Sequence, residues 1–208
     1  MVCELFFFLY LQSMETTQEY ILEKVAPLFN KKGYNGTSLS EITKATNLTK
    51  GAVYFYFRNK EDLAFQAFHL NVKKLVKPLN NVVIERKGAI NKLYGMTFYF
   101  KEYYYELASE RGGCPLLNLG VDARFNNPIL FEEARKICDR LIQNTATIIT
   151  HGIKHKEIKE ATDAHTLATN IYSMIEGGIF MSLITQNKNY IVNIANHIES
   201  AIIEQIRL

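Results

Sequence analysis

The sequence predicts an all-α protein, a three-helix N-terminal unit followed by a longer helical domain, with about nine helices in all. Three observations carry that reading. Apolar residues recur three and four positions apart almost everywhere after Met14, the period of one helix face. Proline is scarce, and no hairpin dipeptide stands between alternating apolar runs. The clear interruptions, Gly112-Gly113-Cys114-Pro115, Asn126-Asn127-Pro128 and Asn187-Lys188-Asn189, are loop chemistry.

Residues 1–13, MVCELFFFLYLQS, stand apart. The apolar run from Leu5 to Leu11 is too short to span a bilayer, and only Glu4 is charged ahead of it, where a secretory signal carries Lys or Arg. It reads as a non-native or disordered extension, with translation starting at Met14. Residues 14–62 then form the first unit and 63–208 the second.

Ile21, Leu22, Val25, Ala26, Leu28 and Phe29 line one face of a first helix over 16–32, which Gly33 ends and Pro27 bends. Ser38-Leu39-Ser40-Glu41 has the spacing of a capping box and opens a short second helix with Leu39, Ile42 and Ala45 inward. Asn47 and Leu48 supply a tight turn. Thr49 caps a third helix over Lys50 to Phe57, held inward by Val53 and Phe57. Two short helices joined by such a turn are a helix-turn-helix. Asn59 starts a fourth helix that runs from Lys60 towards Pro78, and longer apolar stretches follow at 89–108, 128–154, 163–185 and 190–206.

A net charge of +3, with 48% hydrophobic and 22% charged residues, describes a soluble globular chain and implies no partner by itself. The distribution is more telling. From Lys31 to Lys60 there are six cations, Lys31, Lys32, Lys44, Lys50, Arg58 and Lys60, against one acid, Glu41. Basic side chains around a helix-turn-helix grip phosphates, while the third helix reads base edges. Once Val53 and Phe57 turn inward, that helix offers Lys50, Gly51, Ala52, Tyr54, Phe55 and Tyr56. Small residues allow close approach and suit a thymine methyl, and tyrosine hydroxyls reach phosphate. Lys60 sits where the helix dipole disfavours a cation, so a bound phosphate would satisfy both.

No glycine-rich phosphate loop, GxSxG or HExxH is present, so an enzyme is not expected and no cofactor is called for. Cys3, Cys114 and Cys138 lack CxxC spacing and fit reduced thiols of a cytoplasmic protein. His151 and His155, four apart, could share a metal, but the polar segment around them reads as a solvated face, and no metal site is assigned.

The run Gly33-Tyr34-Asn35-Gly36-Thr37-Ser38-Leu39-Ser40-Glu41-Ile42, followed by Leu48-Thr49-Lys50-Gly51-Ala52-Val53-Tyr54-Phe55-Tyr56-Phe57-Arg58-Asn59-Lys60-Glu61-Asp62-Leu63, closely resembles the N-terminal signature of TetR-family regulators. The resemblance implies a homodimer that binds a double-stranded, palindromic DNA operator and is released by a small organic effector; a transcriptional activator, a helical enzyme or an interaction dimer without DNA binding are the alternatives. It places Thr37 and Lys60 at phosphates, Thr49, Lys50, Gly51, Ala52, Tyr54, Phe55 and Tyr56 on the operator-reading surface, and Ser38 also among the DNA-binding residues. Phe55, where many relatives carry a polar residue, and Pro27 depart from the common pattern.

By the same resemblance the second unit binds the effector and forms the dimer, with no membrane partner. Aromatic residues suit an organic ligand, and the effector candidates are Tyr94, Phe98, Tyr99, Tyr103 and Tyr104, with Leu117 and Phe125. The last two long helices would pair with those of a second copy, through Ile171, Met174, Ile175, Gly178, Met181, Ile194 and Ile198, because the apolar surface of 163–185 exceeds what one neighbour can bury.

Overall fold

Capping side chains set the helix boundaries of the N-terminal head. In the computed structural model, which describes the backbone of residues 2–208 and the side chains of residues 17–208, α1 is Val2–Gly36. The extension expected at 1–13 lies outside the residues whose side chains are described. The helix passes through Pro27 and breaks its geometry at Gly33, with φ 73° and ψ 175°. That left-handed φ favours glycine, and a β-carbon there would stand 2.9 Å from the Asp122 carboxylate.

α2 is Leu39–Thr46. The Glu41 amide donates to Ser38 Oγ at 3.2 Å and the Ser38 amide donates to Glu41 Oε2 at 2.8 Å, which completes the capping box. Asn47 ends α2 in the left-handed region, and Thr49 opens α3 (Lys50–Tyr56) by accepting from the Ala52 amide at 3.2 Å. Asn59 caps α4 (Lys60–Ile84) through the Asp62 amide at 2.8 Å. α4 continues beyond Pro78, where the sequence suggested an end.

The body follows. α5 comprises Ala89–Tyr99, a π turn at Phe100–Tyr104 and Tyr105–Glu110. α6 starts with a π turn at Leu116–Gly120 and continues as Val121–Asn126, in a stretch for which the sequence predicted no helix. α7 is Pro128–Lys154, α8 is Ala164–Thr185, and α9 is Asn189–Ile198 extended by a π turn at Glu199–Ile203 and by Glu204–Ile206. Counting contiguous stretches once gives nine helices and no strand among the described residues; Ile158 and Arg207 form an isolated bridge.

Two apolar clusters result. In the head, Ile21, Phe29, Ile42, Val53, Leu63 and Phe68 are fully buried, and Leu119, Ala123 and Leu130 from α6 and α7 complete the same cluster. The head therefore has no core separate from the body. Polar contacts reinforce the join: Asn30 Nδ2 donates to the Arg111 and Gly113 carbonyls at 2.9 and 2.8 Å, and Asn118 Nδ2 donates to the Asn30 carbonyl at 3.0 Å. The second cluster lies among α4, α5, α7, α8 and α9.

Candidate nucleic-acid interface and effector cavity

α3 lies on the surface because only Val53 and, at its C-cap, Phe57 are taken into the core. Thr49, Lys50 and Gly51 are exposed, and Ala52, Tyr54 and Tyr56 are half-buried. A β-carbon on Gly51 would meet nothing within 4 Å. Phe55 is 61% exposed and packs edge-on against Tyr56 at 5.2 Å between ring centroids. An exposed aromatic ring beside small residues is costly in water and useful against a ligand surface. Lys31, Lys32, Lys44, Lys50 and Arg58 all reach solvent around it.

Ser38 is exposed at the start of α2, but its side chain is engaged with Glu41. Glu41 also pairs with Lys32. That lysine contact, then the Ser38 hydrogen bonds, hold its carboxyl down to about 2. Thr37 requires a correction. It is fully buried, and its hydroxyl donates to the Gly33 carbonyl at 2.9 Å. Its role here is to tie the end of α1 to the approach to α2, and its side chain offers nothing to a phosphate.

Lys60 is half-buried, with its ammonium 4.6 Å from the centre of the Tyr34 ring. Burial lowers its pKa, and Glu41 opposes that shift. A ring face is a weaker partner than an anion, so the lysine remains suited to an incoming phosphate. Tyr34 was not singled out from sequence, although its place directly after Gly33 in the recognised run was the available signal. Its amide donates to Asp122 Oδ2 at 3.2 Å, so this residue connects Lys60 to α6.

In the body, α4, α5, α7 and α8 enclose an apolar cavity. It has about 610 Å³ of space between its walls, part of it at the mouth, and about 60 Å³ in which the centre of a water-sized molecule fits. The wall includes Val72, Leu75, Val76 and Leu79 from α4, Met96, Tyr99, Phe100 and Tyr104 from α5, and Ile171, Tyr172, Ile175 and Glu176 from α8. Cys114, Pro115 and Leu116 close one side. Burial raises the pKa of Tyr99, Tyr104, Cys114, Tyr172 and Glu176.

Of the expected effector residues, only Tyr99 and Tyr104 line this cavity. The π turn sets Tyr104 rather than Tyr103 on the side of Tyr99, so Tyr99, Phe100 and Tyr104 are buried and Tyr103 is at the surface, while Phe98, ahead of the turn, is exposed by its ordinary helical position. Tyr94 is half-buried and bonds Glu204 through its hydroxyl. Leu117 borders a surface groove with Val121 and Phe180, and Phe125 is 83% exposed. Glu176 and Tyr172 were missed, although Glu176 is the only acid in the helix Ala164–Thr185.

The expected dimer residues also divide. Ile171, Ile175, Gly178 and Ile198 are buried within their own chain, Met174 and Ile194 are half-buried, and Met181 is exposed. Ile171 and Ile175 line the cavity, Gly178 packs on α9 and Ile198 is in the body's apolar cluster, so these four are not the surface offered to a second copy. Gly178 serves the packing of α8 on α9: a β-carbon there would come within 3.1 Å of Ile191 Cδ1. The outward face of α8 carries Gly177, Phe180, Met181 and Ile184, all exposed. The rings of His151 and His155 stack at 4.0 Å, and His155 Nδ1 lies 2.8 Å from the His151 carbonyl oxygen.

Residues 21–67 match the family model for bacterial regulatory proteins of the tetR family, and residues 89–198 match the tetracyclin repressor-like C-terminal domain. A TetR-family transcriptional regulator from Cytophaga hutchinsonii is 33% identical, with a TM-score of 0.86 over 94% of this chain and 97% of that one. The uncharacterized HTH-type regulator YxaF of Bacillus subtilis is 26% identical over 88% of this chain and 93% of its own length. The regulator FadR of Bacillus subtilis, solved with stearoyl-CoA, shares the fold at 21% identity and a TM-score of 0.71, over 91% of this chain and 99% of that one. With both of its parts matched and its helix-turn-helix exposed beside a cation-rich surface, the chain belongs to the TetR family of DNA-binding transcriptional regulators.

Proposed function

We propose that the protein is a dimeric repressor that grips a palindromic operator and is released when a small organic molecule enters the body cavity. The observation that carries this reading is the course of α4. It begins at Lys60 beside the exposed helix-turn-helix and supplies Val72, Leu75, Val76 and Leu79 to the cavity wall. Val72 lies twelve residues on from Lys60, about 18 Å along the axis. A ligand that widens the cavity must displace α4, and with it the head. The loop Arg111–Leu116 gives a second route, since it borders the cavity and holds Asn30 of α1.

Thr49, Lys50, Gly51, Ala52, Tyr54, Phe55 and Tyr56 enter the major groove, with Lys60 and Arg58 at phosphates. The second copy covers Phe180, Met181 and Ile184. α8 is long and apolar enough to cross a membrane by length and composition, with a mean hydropathy of 1.3; burial against a second α8 accounts for the same surplus. Two heads fixed at one spacing fit only one half-site separation, so a small displacement lowers affinity steeply. Such a protein acts in the cytoplasm, where Cys114 and Cys138 stay as the free thiols they are here.

Selection of duplexes from a random pool by the purified protein, at two salt concentrations, tests this. The expected product is a palindrome with half-sites a whole number of turns apart, bound by two copies and strongly weakened by salt. Enrichment of no sequence, at either salt, would refute operator reading.

A further inference from the structure

Glu176 is the one charged side chain among the residues that line the cavity; no Lys, Arg or His borders it. Its hydrogen-bond partners are weak and neutral. The Cys114 thiol donates to Oε2 across 3.8 Å, and the nearby Tyr172 hydroxyl, which lowers the Glu176 pKa, has its own hydrogen bond to Cys138 Sγ at 3.8 Å. A carboxylate has room for about four hydrogen bonds, and Glu176, half-buried, stands among apolar walls without a cation, which is unfavourable. Desolvation accordingly raises the Glu176 pKa, against the lowering effect of Tyr172 and Cys114. The neighbouring thiol is no substitute for a cation, since burial and the Glu176 charge keep it protonated.

The surroundings are also suited to positive charge. Tyr104, Tyr172 and Phe100 present aromatic rings to the same space, and ring faces attract cations once water is excluded. The aliphatic wall from α4 and α8 would take up an apolar body. An anionic ligand would meet Glu176 with nothing to neutralise either charge.

We propose that the cavity selects an apolar organic cation, an amine on an aromatic or aliphatic body, whose ammonium group pairs with Glu176 while Tyr172 and Tyr104 flank it. The proposal rests on the reading of this cavity as the effector site and sharpens it from any organic ligand to one charge class.

Calorimetric titration of the full-length protein, without DNA, with phenylbutylamine, phenylbutanol and phenylbutanoate at neutral pH provides the test. These probes share one apolar body and differ in the terminal group. The amine is expected to bind at least about tenfold more tightly than the alcohol, as a charge-assisted hydrogen bond implies, and the carboxylate most weakly. In Glu176→Gln the amine should fall to the level of the alcohol while the alcohol is unaffected, which also reports an intact cavity. Tighter binding of the carboxylate, equal binding of all three, binding of none, or an amine preference that survives Glu176→Gln would each overturn the proposal. Should the variant fail to fold, the wild-type ranking alone decides. Because no DNA is present, failure here leaves operator binding untouched, and amine binding with no effect on DNA would instead count against the regulatory reading.

Discussion

The head and the body are both helical and share a boundary cluster, yet they are filled in different ways. In the head, large side chains such as Phe29, Phe57 and Phe68 are buried to within 1%, and the α2, α3 and α4 starts are capped by Ser38, Thr49 and Asn59. In the body, α5 and α9 are interrupted by π turns, a cavity remains at the centre, and α8 leaves Phe180 and Ile184 uncovered. A close-packed unit keeps one shape. A unit with internal room and a spare apolar face can exchange one packing for another, as a ligand-responsive domain must.

The largest effects test that contrast in packing. Phe57→Ala should cost about 3–5 kcal/mol in urea unfolding, because a close-packed site cannot collapse around the void. Ile175→Ala, at the cavity wall, should cost about 2 kcal/mol, the low end for such truncations. Equal losses would mean that the body is packed as tightly as the head.

A charge pair on the outward face of α8, Met181→Asp with Ile184→Asp, should weaken the dimer by about 2–4 kcal/mol, the range for central interface anchors, read as a shift to monomer in light scattering. These positions are exposed in the single chain, so its helicity should be retained. An unchanged dimer would place the interface elsewhere.

The join between the two units comes next. Asn30→Ala leaves the Arg111 and Gly113 carbonyls without the donor they share and should cost about 1–3 kcal/mol. If the loop transmits the state of the cavity, the variant should also respond less to a ligand in DNA binding. A full response would leave α4 as the sole route.

Within the reading surface, Tyr54→Ala should change the preference among operator sequences by about 1–3 kcal/mol. Lys60→Ala should weaken all sequences alike and reduce the salt slope by about 0.9, the value for one phosphate. A loss of stability alone would return Tyr54 to the core, and an unaltered slope would remove Lys60 from the contacts.

The smallest effect concerns acid. Glu41 titrates at about 2 in the folded head against 4.5 as its ordinary value. Its folded pKa is depressed, so its contribution is present above about 4.5 and is lost as pH falls towards 2. Because the group is solvent-exposed, the contribution is modest. Glu41→Gln should flatten the pH dependence of stability in that window, and an NMR titration of Glu41 near 4.5 would contradict the Lys32 contact.

The same contrast explains what could be read from the sequence. The head's boundaries depend on interactions spanning three or four residues, such as Ser38 with Glu41 and Asn59 with Asp62, and such signals are local. In α8, apolar positions outnumber what any single surface needs, and periodicity does not say which of them meets α7, the cavity, α9 or a partner. Ile171 and Ile175 went to the cavity for that reason, and Ile184 to the outside. In the aromatic run of α5 the residue types do not say which rings face inward: Tyr94 and Phe98 leave the cavity by ordinary helical phase, and the π turn at Phe100–Tyr104 puts Tyr104 there in place of Tyr103. Thr37 was misplaced because family resemblance fixes a position and not the burial of its hydroxyl. Glu176 remained hidden because its significance is the absence of a cation across a cavity, which is a tertiary fact.

The most direct test of the account is the affinity of the dimer for its selected duplex with and without a saturating cavity ligand. The prediction is a fall of at least about tenfold, within the usual range of coupling free energies, matched by an equal loss of ligand affinity in the DNA-bound dimer. A ligand that fills the cavity and leaves DNA affinity unchanged would contradict the claim that this body governs this head.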